Sequence, residues 1–242
     1  MNLFKAFDRV SIINLPHRQD RRNETIAELS LFGQQVDGRH IHFFPAIRPE
    51  GPGEFPTTGT RGCFLSHREI IRKAIADDLE RILVLEDDVN FAPGLARQAE
   101  ALEKALRDFD WDIAYLGHRL KGDLGPGPLP IWTHDIVCAH CYALSRRGMR
   151  SLLPYLDAVL RRPAGHPEGG AMHYDGALNM WRTQFAPVCR VANPSVARQR
   201  SSRTDVHQNG LRDRLPVVRH ALATARRLKN AFLRSAKRRQ LR

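Results

Sequence analysis

The segment RILVLEDDVNF, residues 81–91, constrains this chain more than any other. Ile82, Leu83, Val84 and Leu85 form an apolar run that reads as a buried strand. The run ends in three adjacent carboxylates, Glu86, Asp87 and Asp88. Neighbouring carboxylates raise one another's pKa unless a cation compensates them. Mg²⁺ or Mn²⁺ does this well, because both prefer hard oxygen ligands. Residues i and i+2 of an extended segment point the same way, so Glu86 and Asp88 can share an ion while Asp87 points elsewhere. Spacing alone leaves a second reading open, a solvated charged loop at a strand end.

The rest of the chain gives the triplet a context. DRVSIINLP reads as a first strand ended by Pro16, and HRQDRRNETIAELSLFG as a helix with Ile26, Leu29 and Phe32 on one face and Gly33 as C-cap. IHFFPA is a second strand, followed by a Pro/Gly/Thr-rich loop over 47–60 that is long enough to be functional. A helix is expected from Gly62 to about Asp77 with Thr60 as its cap, then the acid-terminated strand, then a helix over 94–108. Strands at DIAYLG, 136–144 and FAPVCRVA alternate with a helix from Ser145 to about Leu160 and a short one at DGALNMW. Alternating strands and helices predict a mostly parallel sheet covered by helices. In such sheets ligands bind at the carboxyl ends of the strands, where the three acids lie.

With 242 residues, 42% hydrophobic and 26% charged, the composition suits one good-sized globular domain. No apolar run approaches the roughly 18–20 residues that span a bilayer, and MNLFKAFDR has no secretory apolar stretch, so a cytoplasmic location is expected. Cys63 and Cys189 stand alone, and the pair in CAHC, Cys138 and Cys141, has no second pair to complete a structural zinc site. The net charge of +12 is concentrated: residues 208–242 hold eleven Lys/Arg against Asp213 alone, leaving +2 for residues 1–207. In that tail Val218, Leu222, Ala225 and Phe232 share a helical stripe among arginines. Such a basic amphipathic helix is expected to lie on an anionic membrane surface, each Lys or Arg contributing on the order of 1 kcal/mol.

Four segments, in order from about residue 9 to 206, resemble glycosyltransferase family 25, the lipopolysaccharide and lipooligosaccharide galactosyltransferases. They are VSIINLPHRQDRR, GCFLSHREIIRKAIADDLERILVLEDDV, CYALSRRGMRSLL and PSVARQRSSRTDV. The second carries the most characteristic block, G-C-x-L-S-H, a helix, and a strand ending in L-E-D-D-V. The chain departs from the family pattern at Pro16-His17, where an acidic residue that bears on donor-ribose contacts is common, and over residues 121–130, which are unusually Gly/Pro-rich; Thr204-Asp205-Val206 stands in place of Ser-Asp-Ile.

The resemblance implies an α/β, GT-A-like single domain over 1–207 with the basic helical tail over 208–242 appended. It implies inverting transfer of a sugar, typically galactose, from a UDP-sugar donor to a lipid-linked or cell-surface glycan such as lipopolysaccharide or lipooligosaccharide. Glu86 and Asp88 would then hold Mn²⁺ or Mg²⁺ against the UDP diphosphate, with His207 or His173 completing the shell and Asp87 in a ribose or supporting role. Asn14 and Leu15, after the first strand, and Arg18, Arg21 and Arg22 on the following turn would meet the donor, although arginines there also suit an exposed helix start. Ser66 and His67 are expected on a helix's first turn, where phosphate is favoured; a packed histidine is the alternative. Asp175 would be the base that deprotonates the acceptor hydroxyl, or a helix N-cap, with Glu168 in reserve. Such an enzyme would work at the inner face of the cytoplasmic membrane, held there peripherally by the tail. Two other functions compete. A Mg²⁺-dependent nucleic-acid phosphotransfer enzyme would use the same acids, but the positive charge sits in the tail, so no nucleic-acid partner is expected. A relative that binds nucleotide or glycan without catalysis is the other.

Overall fold

The computed structural model describes residues 3–200; His207 and the basic tail lie outside the described residues. A 3₁₀ turn, Leu3–Ala6, leads into β1 (Arg9–Asn14), α1 (Gln19–Ser30), β2 (Ile41–Pro45) and α2 (Thr58–Ala76). Then come β3 (Arg81–Glu86), β4 (Val89–Phe91), α3 (Leu95–Asp108) and β5 (Ile113–Tyr115). The order closes with β6 (Cys141–Ser145), α4 (Arg146–Val159), α5 (Tyr174–Phe185), β7 (Cys189–Val191) and β8 (Ala197–Gln199). Six strands form one sheet in the order β2-β1-β3-β6-β5-β7. β1 pairs parallel with β2 and β3, and β5 parallel with β7, while β6 runs antiparallel to both β3 and β5. The expected α/β architecture, a mostly parallel sheet covered by helices, is what forms.

The apolar run of β3 explains its central place. Ile82 and Val84 enter one core with α2, α4 and α5, whereas Leu83 and Leu85 enter the other with α1 and α3. All four are essentially inaccessible. Side chains alternate across a strand, so an apolar residue at every position means that both faces are covered. Each such side chain contributes roughly 1.5–3 kcal/mol by leaving water.

Several local expectations are corrected. α2 starts at Thr58, capped by Thr57, whose hydroxyl accepts the N–H of Thr60. Ser66 and His67 therefore lie more than two turns into the helix, not on its first turn. The earlier start escapes a pattern search because Thr58-Gly59-Thr60 has no apolar periodicity. Thr57→Ala should cost about 1 kcal/mol, the usual worth of an N-cap, read from the midpoint of urea unfolding; no change would show the cap to be idle. On α1, Ile26 is exposed, and the buried side chains are Thr25, Glu28 and Leu29. The strand expected over 136–144 shortens to Cys141–Ser145, since Cys138 takes a positive φ of 80° that breaks an extended run. The short helix at DGALNMW extends to Phe185, and its N-cap is His173 rather than Asp175.

A second, two-stranded sheet went unforeseen. β4, directly after the acids, pairs antiparallel with β8 at the far end of the described residues, Val89 opposite Gln199.

Candidate active site

The carboxyl ends of β1, β2 and β3 meet the buried face of α2 around a cleft of about 300 Å³. Leu15 follows β1, Ala46 to Arg48 follow β2, Glu86 ends β3 and Asp87 follows it. Thr58, Gly62, Cys63, Ser66 and His67 supply the α2 wall. Gly62 allows the helix to come this close: a Cβ there would stand 2.5 Å from the carbonyl oxygen of Ile47. Ser66 fixes the same approach, its hydroxyl accepting the N–H of Ile47 at 2.8 Å and donating to the Gly62 carbonyl at 2.6 Å.

The three acids have different surroundings. Asp87 is held on both oxygens, by the side-chain amide of Asn14 at 2.7 Å and by Arg21 at 2.7 Å. Its carbonyl accepts from the Thr25 hydroxyl at 2.7 Å and from Arg200 at 2.8 Å. Arg200 is buried, bonds Asn90 at 3.2 Å, and lies 3.0 Å from Glu24. The polar inner face of α1 is therefore a bracket for the acid turn, which is why Ile26 is turned outward. Glu28 adds to it by accepting the N–H of Phe91 at 2.7 Å.

Asp88 is left poorly served. Its Oδ1 is buried and has no hydrogen-bond partner, and Oδ2 is 3.9 Å from Arg21. Burial and the charge of Glu86 push its carboxyl up to about 7, against the pull of Arg21 and Arg200. Glu86 goes the other way. Burial would raise it, but His67, His140 and a 3.0 Å hydrogen bond from Gln199 together hold it below the ordinary carboxylate range. An orphaned, buried carboxylate oxygen beside a second carboxylate is a place that a divalent cation would satisfy, so the donor set of Glu86 and Asp88 fits Mg²⁺ or Mn²⁺.

His67 is packed as well as placed at the cleft. It is fully buried, stacks on Tyr174 with ring centres 4.1 Å apart, and its Nδ1 lies 2.9 Å from the Tyr142 hydroxyl. The remaining nitrogen, Nε2, faces Glu86 at 3.8 Å.

The other sequence candidates are scattered. Arg18 pairs with Asp20 at 3.0 Å, and Arg22 lies over the Phe43 ring at 4.3 Å. Asp175 accepts the N–H of Cys138 at 3.1 Å and that of Gly176 at 2.9 Å. It is not in the cleft wall. Glu168 is exposed and pairs with Arg162 at 2.5 Å.

Sequence reasoning passed over Cys63, Arg48, His140, Gln199 and Arg200. Cys63 had a signal in its i, i+4 spacing from His67 on a helix face, and Gln199 and Arg200 lie in the segment PSVARQRSSRTDV.

Residues 7–125 match the family model described as glycosyltransferase family 25 (LPS biosynthesis protein). Over that span, just under half of its length, the chain is similar to glycosyltransferase family 25. Among curated proteins similar to this chain is procollagen galactosyltransferase 1-B of Xenopus laevis, 33% identical over 172 residues, or 61% of this chain and 28% of that protein. A glycosyltransferase 25 family member of Aedes aegypti is 37% identical over 132 residues, 47% of this chain and 22% of that one. Inactive glycosyltransferase 25 family member 3 of Homo sapiens is 32% identical over 132 residues, with the same shares. The chain thus spans under a third of the length of these relatives. Relatives named as galactosyltransferases and one named as inactive match it about equally.

Proposed function

We propose that this protein is an inverting glycosyltransferase that moves a hexose, galactose first among the candidates, from a UDP-sugar to a lipid-linked or cell-surface glycan. The observation that carries the reading is the unequal treatment of the acids. Asp87 is paired with Arg21 and hydrogen-bonded by Asn14, while Asp88 keeps a buried oxygen without a hydrogen-bond partner next to Glu86. A solvated loop would leave all three exposed; a structural ion-pair network would satisfy all three.

Glu86 and Asp88 would hold Mn²⁺ or Mg²⁺, which when bound supplies positive charge against the diphosphate leaving group. Leu15 and the backbone after β1 would seat the nucleotide, and Arg48 would meet phosphate from the opposite wall. Arg21 and Asn14 would act indirectly, by holding Asp87 and so the turn that aims its neighbours. Asp175 is the proposed base for the acceptor hydroxyl, on the resemblance and on its place in the first turn of α5, outside the donor wall. No helix among the described residues is long and apolar enough to cross a membrane. Contact with the membrane that carries the acceptor is assigned to the basic tail, on its sequence alone.

Isothermal titration of UDP tests the reading. With Mn²⁺ the wild type should bind at least about tenfold tighter than without, a gain of roughly 1.4 kcal/mol. Asp88→Ala should lose that gain and keep the weaker, metal-free binding. No UDP binding under either condition would remove the transferase reading and favour a non-catalytic glycan binder or a nucleic-acid enzyme. UDP binding indifferent to both metal and substitution would take the role from the acids.

A further inference from the structure

Cys63 and His67 are four residues apart on α2 and so share a helix face, opposite Glu86 at the end of β3. The cysteine sulfur, an imidazole nitrogen and a carboxylate oxygen all lie within 4.8 Å of one another. His67 is the decisive member. Its ring is clamped by stacking on Tyr174, and Nδ1 is engaged by Tyr142, whose hydroxyl is in turn 2.9 Å from that of Tyr174. Nε2 is fully buried, has no hydrogen-bond partner, and points at the Glu86 carboxylate. Metal-binding histidines are held in this way, with one nitrogen fixed by an outer partner and the other presented.

The chemistry of the donors selects the ion. Thiolate and imidazole suit Zn²⁺ and its neighbours far better than Mg²⁺. Zinc bond lengths put the donors of a tetrahedral site roughly 3.3–3.6 Å apart. The 3.8 Å between Nε2 and Oε1 is already close to this, and small rotations of Cys63 and Glu86 would close the rest.

We infer that Cys63, His67 and Glu86 form a binding site for Zn²⁺ or a similar borderline-soft divalent ion, with its fourth position open to the cleft. The set differs from Glu86 plus Asp88, which offers only oxygens. Because Glu86 belongs to both, a soft ion here and a hard ion there compete for one carboxylate. Burial and the charges of Glu86, Asp175 and Asp88 keep the free thiol protonated, so its proton passes to solvent when the ion binds. The inference does not rest on the transferase reading, and its test does not involve UDP.

Co²⁺ added to the metal-free, reduced protein should produce a near-ultraviolet thiolate-to-cobalt band that saturates at one equivalent and is removed by Zn²⁺. Cys63→Ser should abolish the band, whereas Cys138→Ser should keep it. Tyr142→Phe, which removes the partner of Nδ1, should weaken Co²⁺ binding about tenfold while the band's position holds. Circular dichroism of each variant reports whether it has folded. No band in the wild type, or a band that survives in folded Cys63→Ser, would overturn the inference. So would loss of the band in Cys138→Ser, which would move the ion to the CAHC segment.

Discussion

Arg21→Ala should lower stability by about 3–5 kcal/mol, the usual cost of removing one partner from a buried ion pair. The Arg21 and Asp87 side chains are only 12% and 7% exposed, so water cannot replace the missing guanidinium. Asp88, 3.9 Å from the same group, loses its nearest cation as well. For a chain of this size each kcal/mol moves Tm by roughly 2–4 °C, so Tm should fall on the order of 10 °C. The double variant Arg21→Met with Asp87→Asn should recover most of the loss. The methionine fills similar space, and the amide oxygen introduced at position 87 can still accept from Asn14 without a charge to neutralise. If the single variant stays within about 1 kcal/mol of wild type, or the double variant is no better, the bracket around the acids is not what holds the turn.

Asp88→Asn should stabilise the metal-free protein at neutral pH and leave it unchanged in acid. In the folded protein Asp88 keeps its proton up to about 7, against an ordinary value of 3.8. Between those values the folded state binds a proton that the unfolded chain has released, so stability falls as pH rises through the window. Below about pH 4 both states are protonated and nothing is lost. Above pH 7 the full penalty applies, on the order of 4 kcal/mol at about 1.36 kcal/mol per pH unit. Urea unfolding of wild type and variant across this range should show curves that coincide near pH 4 and separate towards pH 8. Mn²⁺ at pH 8 should then stabilise the wild type and not the variant. Parallel curves at all pH values would mean that Asp88 ionises freely, and would weaken the case for a cation there.

How much of this was legible in the sequence depended on whether one segment could report it alone. The run from Ile82 to Leu85 announced a central strand because both of its faces are apolar, a property of the segment itself. The antiparallel direction of β6 was not announced, because CYALS reads the same whichever way its neighbours run. The α1 face was misread for a related reason: pattern rules look for apolar stripes, and Thr25 and Glu28 are buried to serve the turn after β3. The triplet's location at the carboxyl end of a strand could be read locally. Its supports could not, since Asn14, Thr25 and Arg200 reach it from widely separated stretches of chain. Cys63 looked isolated because its partners, apart from His67, are remote in sequence.

The ribbon formed by β4 and β8 also bears on the order in which the protein acquires its shape. Arg200 and Asn90 are 110 residues apart, and the Asp88 carbonyl accepts the backbone N–H of Arg200 at 2.6 Å. Closing so long a loop is slow compared with pairing nearby strands. During synthesis β1, β2 and β3 can assemble long before residue 200 leaves the ribosome, but the turn carrying the acids cannot. The nascent chain therefore acquires its first strands early and the final setting of its carboxylates only after Arg200 has emerged.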